Sequence, residues 1–315
     1  MQYRTLGKTG LKVSLVSLGS GGPSKLGQNT GLSGNEQDSL VRSCLELGIN
    51  LIDTSEQYGD SETILGRSLK GTPRDSYVMA TKCAYKNADT GIFRTPEEIA
   101  ASVDGSLSRL GVNYIDLMQF HVLNSADYFH VVDHLYPVLK KEQEKGKIGF
   151  IGFSEHYVGE PDHRAVVLAL RTHPEIWDTV MLKYGILNQF AAREALPLAI
   201  ENNVGVINMA VIREKLPNPE LLRAQIKLWK QNGTISPNSV PDENPLDWLL
   251  HDGVDTIVNA GYKFAADHSA IHTVLTGTSS LRHLKANVKA LEDPILPEND
   301  KNRLIKVFRD VSEYI

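Results

Sequence analysis

The chain has 315 residues, of which 41% are hydrophobic and 23% are charged, so it can bury a large core and is not disordered. Its 38 acidic and 33 basic side chains give a formal net charge of −5, which excludes a protein built to neutralise a nucleic-acid backbone. Two cysteines are too few for a disulfide framework or a four-sulfur metal site. Because the sequence has no signal-like apolar core and no membrane-length apolar run, we expect a cytoplasmic protein without nucleic-acid or membrane partners.

Short β-branched runs alternate along the chain with longer segments of helical periodicity. The runs predicted to be strands lie at 13–18, 49–53, 77–82, 115–121, 148–154, 179–184, 205–209 and 273–277. Eight such units, with strands buried on both faces, predict an α/β fold of the (β/α)8 TIM-barrel type, as one domain over 1–315. A doubly wound open sheet shows the same alternation and is the alternative.

Several segments outside the strands carry local signals. The stretch 2–15 is predicted to be a β-hairpin that caps the bottom of the barrel. The stretch 95–98 forms a capping box with proline at the first helical position, and Gly111 can end that helix in the left-handed conformation. Two further helices are predicted, one at 219–231 within a long loop that follows the seventh strand and a terminal one at 296–314.

Two motifs are similar to ligand sites but lack the context that such sites require. The glycine-rich run 19–24 follows a strand, yet no helix starts there, so we predict a flexible loop and not a dinucleotide fingerprint. His130 and His134 are one helical turn apart, but no third ligand or general base is patterned nearby. We therefore predict a surface helix with two ordinary histidines, and no metal site.

Polar side chains occupy the C-terminal ends of the predicted strands, where barrels of this type place their chemistry. The last residues of five runs are Asp53, Lys82, His121, Ser154 and Tyr184. Tyr58 lies five residues beyond Asp53, close enough to point back at the same place. The sequence therefore predicts a site at this end of the barrel.

Four of these side chains have complementary chemistry. A tyrosine normally titrates near 10, but the Lys82 ammonium would favour the phenolate of Tyr58 and lower its pKa, while Asp53 would hold Lys82 in place. Tyr58 is then a proton donor, and His121 can donate a hydrogen bond to a substrate oxygen. The set suits protonation of a carbonyl oxygen while another group delivers a hydride.

Three blocks of the sequence identify a family. They are Leu-Ile-Asp-Thr-Ser-Glu-Gln-Tyr-Gly at 51–59, Ala-Thr-Lys at 80–82 and Asp-Leu-Met at 116–118 before His121. The sequence resembles the aldo-keto reductases over nearly its whole length. The resemblance implies a barrel that binds a nicotinamide cofactor without a Rossmann domain. It also implies a catalytic tetrad of Asp53, Tyr58, Lys82 and His121. In this tetrad Tyr58 is the general acid in reduction and the general base in oxidation.

The resemblance also implies contacts with the cofactor. Ser154 matches a serine that contacts the nicotinamide carboxamide. The segment that holds the adenosine half and its phosphates is matched by Gly277, Thr278, Ser279 and Asn287. An Arg or Lys against the extra phosphate would favour NADP. His283 stands where the family often has that arginine, and Arg282 is adjacent, so NADP(H) is expected and NAD(H) is the alternative.

Three positions of the expected nicotinamide site depart from the family pattern. Glu155 replaces the usual Asn, Met181 replaces the usual Gln, and Met209 replaces an aromatic residue that stacks on the ring. Because the usual Asn and Gln bind the carboxamide, its orientation is expected to depend on other groups here.

The expected activity is interconversion of a carbonyl (an aldehyde, a ketone or an aldose) and an alcohol with NAD(P)(H). The stretch 205–208 is more similar to the sugar-oxidising branch of the family. One alternative is a non-catalytic, cofactor-sensing subunit of the kind that attaches to potassium channels. Another is a Schiff-base aldolase, since Lys82 and Lys183 both lie at predicted strand ends.

Overall fold

A closed barrel of eight parallel strands occupies the centre of residues 1–314, which a computed structural model describes. The barrel strands are β3 (Val16–Gly19), β4 (Leu51–Asp53), β5 (Val78–Ala84), β6 (Ile115–Leu123), β7 (Ile148–Glu155), β8 (Thr179–Lys183), β9 (Gly205–Met209) and β10 (Thr273–Thr276). They are hydrogen-bonded in chain order, and β10 closes the ring on β3 with Val274 opposite Val16. The predicted (β/α)8 barrel is confirmed, and the open-sheet alternative is wrong.

The first predicted strand is two strands. Residues up to Ser14 form β2 (Lys12–Ser14), which pairs antiparallel with β1 (Tyr3–Thr5), whereas β3 belongs to the barrel. The Ser14 hydroxyl donates to the Val16 carbonyl over 2.6 Å, and the Ser14 N–H donates to the side chain of Asn50 over 2.7 Å. These bonds fix the point at which the chain changes partners. Apolar residues lie on both sides of the break, at Val13 and at Leu15, so hydrophobicity alone does not reveal it.

The β1–β2 hairpin closes the N-terminal end of the barrel. Leu6 and Val13 are fully buried in the same apolar cluster as the inward-facing Leu51 and Ile207. The Lys8 N–H also donates to the Asn203 carbonyl over 2.7 Å. The predicted capping hairpin is therefore confirmed.

Gly7 makes the tightest approach between the hairpin and the barrel. Its φ is +49°, and a Cβ there would lie 2.3 Å from the Gly205 nitrogen. Gly10 is a matched control, because its φ is +71° but a Cβ there would meet nothing within 4 Å.

We expect Gly10→Ala to lower the unfolding free energy by about 1–2 kcal/mol, because alanine disfavours the left-handed backbone. Gly7→Ala is expected to lower it by about 1–3 kcal/mol more than Gly10→Ala, because its Cβ would also overlap the barrel. Urea unfolding of both variants tests this, and equal losses would contradict the packing argument.

Helices cover the outside of the barrel. They are α1 (Gly34–Glu46), α2 (Ser61–Ser68), α3 (Pro96–Leu110), α4 (Tyr128–His130), α5 (Tyr136–Glu144), α6 (Arg164–Thr172), α7 (Ala195–Glu201), α8 (Pro219–Gln231), α9 (Ile257–Asp267), α10 (Leu281–Ala290) and α11 (Glu298–Phe308). The predicted capping box and left-handed Gly111 bound α3, and α8 has the predicted limits. None of the helices found along residues 1–314 is long and apolar enough to cross a bilayer.

The terminal helix is shorter than predicted. Pro297 precedes α11, and the chain leaves the helix after Phe308. Ser312 then forms a β-bridge with Asn188, in the loop after β8. The last described residues therefore lie beside the C-terminal end of the barrel and do not continue a helix.

The barrel interior changes from apolar to polar along the strands. Side chains of a strand alternate between its two faces, so every second residue points inward. On β4, the fully buried Leu51 is followed by the inward Asp53, and on β6, Leu117 is followed by Gln119. On β5, the inward-facing residue at the corresponding position is Lys82. An apolar floor thus supports a layer of buried polar groups at the C-terminal end.

Candidate active site

Lys82 and Asp53 form a buried ion pair at the C-terminal ends of β5 and β4. The Lys82 ammonium donates to both carboxylate oxygens of Asp53 over 2.7 Å and to the Thr54 carbonyl over 2.8 Å. Burial lowers the pKa of Lys82, but the Asp53 carboxylate and the Tyr58 phenol raise it, and the net direction is upward. Lys82 therefore remains an ammonium whose three protons are all bound.

Tyr58 and His121 complete the group of four. The Tyr58 hydroxyl lies 3.3 Å from His121 Nε2, and the two rings meet edge to face with centroids 5.4 Å apart. Lys82 Nζ lies 5.0 Å from the centre of the Tyr58 ring. The four side chains that the sequence analysis grouped thus meet in one place.

Burial sets the protonation of both rings. It raises the pKa of Tyr58 above 10, although the Lys82 ammonium acts in the opposite direction. The expected net lowering of this pKa is therefore wrong, because the loss of water on burial outweighs the charge of Lys82. Burial, with the repulsion of Lys82 added, lowers the pKa of His121 to about 3. At neutral pH His121 is an uncharged imidazole beside a protonated phenol.

A bulge in β6 aims His121 at the site. The pairing of β6 with β7 shifts between Phe120 and Leu123, and Val122 has a φ of +60°, a strained value for a β-branched residue. The Val122 N–H donates to the Ser154 hydroxyl oxygen over 2.9 Å. Bulges commonly redirect a side chain beside an active site, and this one turns the end of β6 at His121.

The glycine-rich loop after β3 lies against Tyr58. A Cβ at Gly21 would be 2.5 Å from the Tyr58 ring, so only glycine allows the backbone to pack on that face. The Ser61 hydroxyl donates to the Ser20 carbonyl over 3.0 Å and ties the loop to α2. The predicted loop is present, and its Gly21 allows the backbone to pack closely on the Tyr58 ring.

One cleft of about 570 Å³ joins these side chains to the loop that precedes α10. Its lining includes Asp53, Tyr58, Lys82 and His121 together with Gly277, Thr278 and Ser279. The cleft thus includes both the proton-donating group and the loop before α10, and the backbone N–H groups at the N-terminus of that helix favour an anion.

Comparison with known proteins settles the family. A model of the Aldo/keto reductase family matches residues 17–307. The chain belongs to this family. This aldo-keto reductase is 30% identical to the L-galactose dehydrogenase of Arabidopsis thaliana, with 93% of this chain and 89% of that one covered. It is 28% identical to the NADH-specific methylglyoxal reductase of Escherichia coli strain K12, with 92% and 94% covered.

A solved structure extends the likeness to three dimensions. The holo form of an aldo-keto reductase from Bacillus halodurans is similar with a TM-score of 0.75 and 25% identity, covering 99% of this chain and 98% of that one. The resemblance noted from the sequence motifs is confirmed. This aldo-keto reductase is accordingly an oxidoreductase.

The predicted nicotinamide contacts line the cleft but differ in what they offer. Ser154 lines it, and its hydroxyl accepts from Val122, which leaves the hydroxyl proton free. The Glu155 carboxylate is bound on both oxygens, by the Lys183 N–H over 2.8 Å and by His163 Nδ1 over 2.8 Å. Met181 and Met209 also line the cleft and offer thioethers only.

The predicted adenosine contacts are placed around α10 of this aldo-keto reductase. Arg282 and His283 are exposed in its first turn, one turn from Ser279. Asn287 is buried and donates to the Thr276 hydroxyl oxygen over 2.7 Å, so its amide is already part of the packing between α10 and β10.

His130, at the end of α4, and His134, in the π-helical turn Val131–Leu135 that joins α4 to α5, do not line the cleft. The rings of His130 and His134 have centroids 4.7 Å apart, and His130 stacks on Phe93 at 3.7 Å. Among residues 1–314, no group of three or more His, Cys, Asp or Glu side chains is placed to hold a metal ion.

Two polar contacts of the site were missed in the sequence analysis. Gln119 Nε2 lies 3.4 Å from a carboxylate oxygen of Asp53, and the inward alternation of β6, two residues before His121, could have identified it. Gln57 Oε1 lies 2.6 Å from His121 Nδ1. No periodicity predicts that contact, because Gln57 belongs to the irregular loop after β4.

Proposed function

We propose that this chain is an NAD(P)(H)-dependent oxidoreductase that interconverts a carbonyl (an aldehyde, a ketone or an aldose) and an alcohol. Tyr58 is the general acid in reduction and the general base in oxidation. The observation that carries the proposal is the Tyr58 hydroxyl, held beside the Lys82–Asp53 ion pair and 3.3 Å from an uncharged imidazole.

The side chains have distinct tasks in this proposal. When bound, the nicotinamide cofactor supplies the hydride for reduction and accepts it in oxidation. Tyr58 transfers its hydroxyl proton to the substrate oxygen, and the Lys82 ammonium stabilises the resulting phenolate. Asp53 keeps Lys82 charged and in place. His121 hydrogen-bonds the substrate oxygen and orients it.

The cleft supports the cofactor assignment. Ser154 has a free hydroxyl proton, whereas the neighbouring Glu155 carboxylate is occupied, so Ser154 is the group left to bind the carboxamide. Gly277, Thr278 and Ser279 lead into the N-terminus of α10, which suits the phosphates. Arg282 in the first turn of α10 favours NADP(H) over NAD(H), since its guanidinium can pair with a 2′-phosphate.

The alternatives have less support. A Schiff-base enzyme needs a lysine with a free lone pair, but all three protons of Lys82 are bound. Lys183 is buried and paired with Glu313. A non-catalytic sensor would have no need for a complete proton-donating group. The similarity to an L-galactose dehydrogenase and a methylglyoxal reductase favours an aldose or a small aldehyde as substrate.

Turnover with purified protein tests the proposal. The absorbance of NADPH and NADH is followed with a panel of aldehydes, ketones and aldoses, in both directions. We expect reduced-cofactor absorbance to change with at least one pair and NADPH to bind more tightly than NADH. Tight cofactor binding without turnover would instead favour the sensor, and a borohydride-trapped lysine adduct would favour the aldolase.

A further inference from the structure

The side chain of Gln57 contacts the ring nitrogen of His121 that points away from Tyr58. Gln57 Oε1 lies 2.6 Å from His121 Nδ1. The Ser55 hydroxyl lies 3.3 Å from the same nitrogen and 3.5 Å from the Lys82 carbonyl, to which it can donate. An amide oxygen can only accept a hydrogen bond, so the contact with Gln57 Oε1 places the imidazole proton on Nδ1.

The position of this proton determines what His121 presents to the cleft. An uncharged imidazole has one N–H donor and one lone-pair acceptor. With the proton on Nδ1, Nε2 carries the lone pair and accepts the hydrogen bond from the Tyr58 hydroxyl 3.3 Å away. In this state His121 can accept from a substrate alcohol but cannot donate to a substrate carbonyl.

We propose that Gln57 is a positioning residue that sets the tautomer of His121 and thereby its preference between alcohol and carbonyl. The inference rests on the proposed function, since it concerns the substrate of the same site. Gln57 is an exposed residue, so its amide has room to turn. An amide offers an oxygen acceptor or an NH2 donor from the same place. Turned, the amide would donate to Nδ1, and Nε2 would carry the proton toward a carbonyl.

Two substitutions separate these states. Gln57→Glu offers acceptor oxygens only, so it holds the proton on Nδ1. Gln57→Met has a similar length and no strong acceptor, so it releases the tautomer. Gln28→Met is the matched control, because Gln28 bonds Ser61 and the Tyr58 carbonyl in the same region without reaching His121.

Nitrogen NMR of ¹⁵N-histidine protein reads the tautomer directly, with the signals of His121 assigned from their loss in His121→Asn. We expect a protonated Nδ1 in the wild type, in Gln57→Glu and in Gln28→Met, and a shift of the proton toward Nε2 in Gln57→Met. A wild-type proton on Nε2, or no change in Gln57→Met, would overturn the proposal. The measurement needs neither substrate nor turnover, so it stands apart from the test of the proposed function.

The effect of Gln57 on the preference between alcohol and carbonyl is measured by substrate binding to complexes that cannot react. An alcohol with reduced cofactor, and a carbonyl with oxidised cofactor, form ternary complexes that cannot react. For a substrate pair found in the turnover assay, Gln57→Glu is expected to weaken carbonyl binding about tenfold, as for one lost hydrogen bond, and to leave alcohol binding unchanged. Equal weakening of both would contradict the inference, even in an active enzyme.

Discussion

Replacing Tyr58 with phenylalanine is expected to lower kcat for carbonyl reduction by about 10²–10⁴, the usual contribution of a general acid. The ring would still fill the space beside Gly21, so folding and cofactor binding are expected to change little. Only the hydroxyl proton is lost. Single-turnover decay of reduced cofactor in the wild type and in Tyr58→Phe measures the effect on the chemical step.

Tyr157 provides the control for this prediction. It also lines the cleft and carries a hydroxyl, but it lies outside the group around Lys82. Tyr157→Phe is expected to keep most of the activity. Comparable losses in the two variants would mean that Tyr58 acts by shaping the cleft and is not the acid.

The pH dependence of reduction follows from the same phenol. Because burial raises the pKa of Tyr58 above 10, the proton is present throughout the neutral range. Reduction is therefore expected to be constant with rising pH until the pH passes through that raised pKa, and then to fall.

The second large effect is expected for stability, at the buried pair of Lys183 and Glu313. Both side chains are almost completely enclosed, at 2% and 4% exposure, and the ammonium also lies 3.1 Å from the Tyr314 hydroxyl. Burial lowers the pKa of Lys183 to about 8 even with the carboxylate present. Lys183→Met leaves a buried carboxylate without its main partner, so we expect a loss of about 3–5 kcal/mol of unfolding free energy.

Two controls test the charge argument. Lys183→Met combined with Glu313→Leu removes both charges and is expected to cost much less than the two single substitutions added together. Glu243→Gln breaks the exposed pair with Arg223 and is expected to cost no more than about 1 kcal/mol. Chemical unfolding at pH 7 measures all four variants. Additive losses in the double variant would mean that packing, and not charge, accounts for the effect.

The sequence predicted the barrel and the four polar residues because both follow from periodicity. Strand ends converge at one face of a parallel barrel, so Asp53, Lys82 and His121 could be grouped without knowing any distance. Tyr58 could be added to this group because it lies five residues beyond Asp53, so the loop between them has only to turn back toward the strand end. These predictions depend on topology, which the alternation of strands and helices determines.

What could not be predicted depends on local geometry. The left-handed φ of Val122, next to His121, could not be predicted because β-branched residues rarely adopt that conformation. The partner of Glu155 is His163, itself at a φ of +61°, so the carboxylate expected beside the nicotinamide is occupied by a neighbour that no spacing rule identifies. The direction of the Tyr58 pKa shift could not be predicted either, because its main cause is burial, which depends on residues distant in the sequence.

The pairing of Lys183 with Glu313 also constrains how the protein is made. The two residues are 130 positions apart, which a ribosome translating about 5–20 residues per second covers in roughly 6–26 s. Throughout that interval β8 has emerged from the ribosome while its counter-ion has not. A nascent chain therefore cannot pair this buried lysine until Glu313 is available, and we expect barrel closure to wait until Glu313 leaves the exit tunnel.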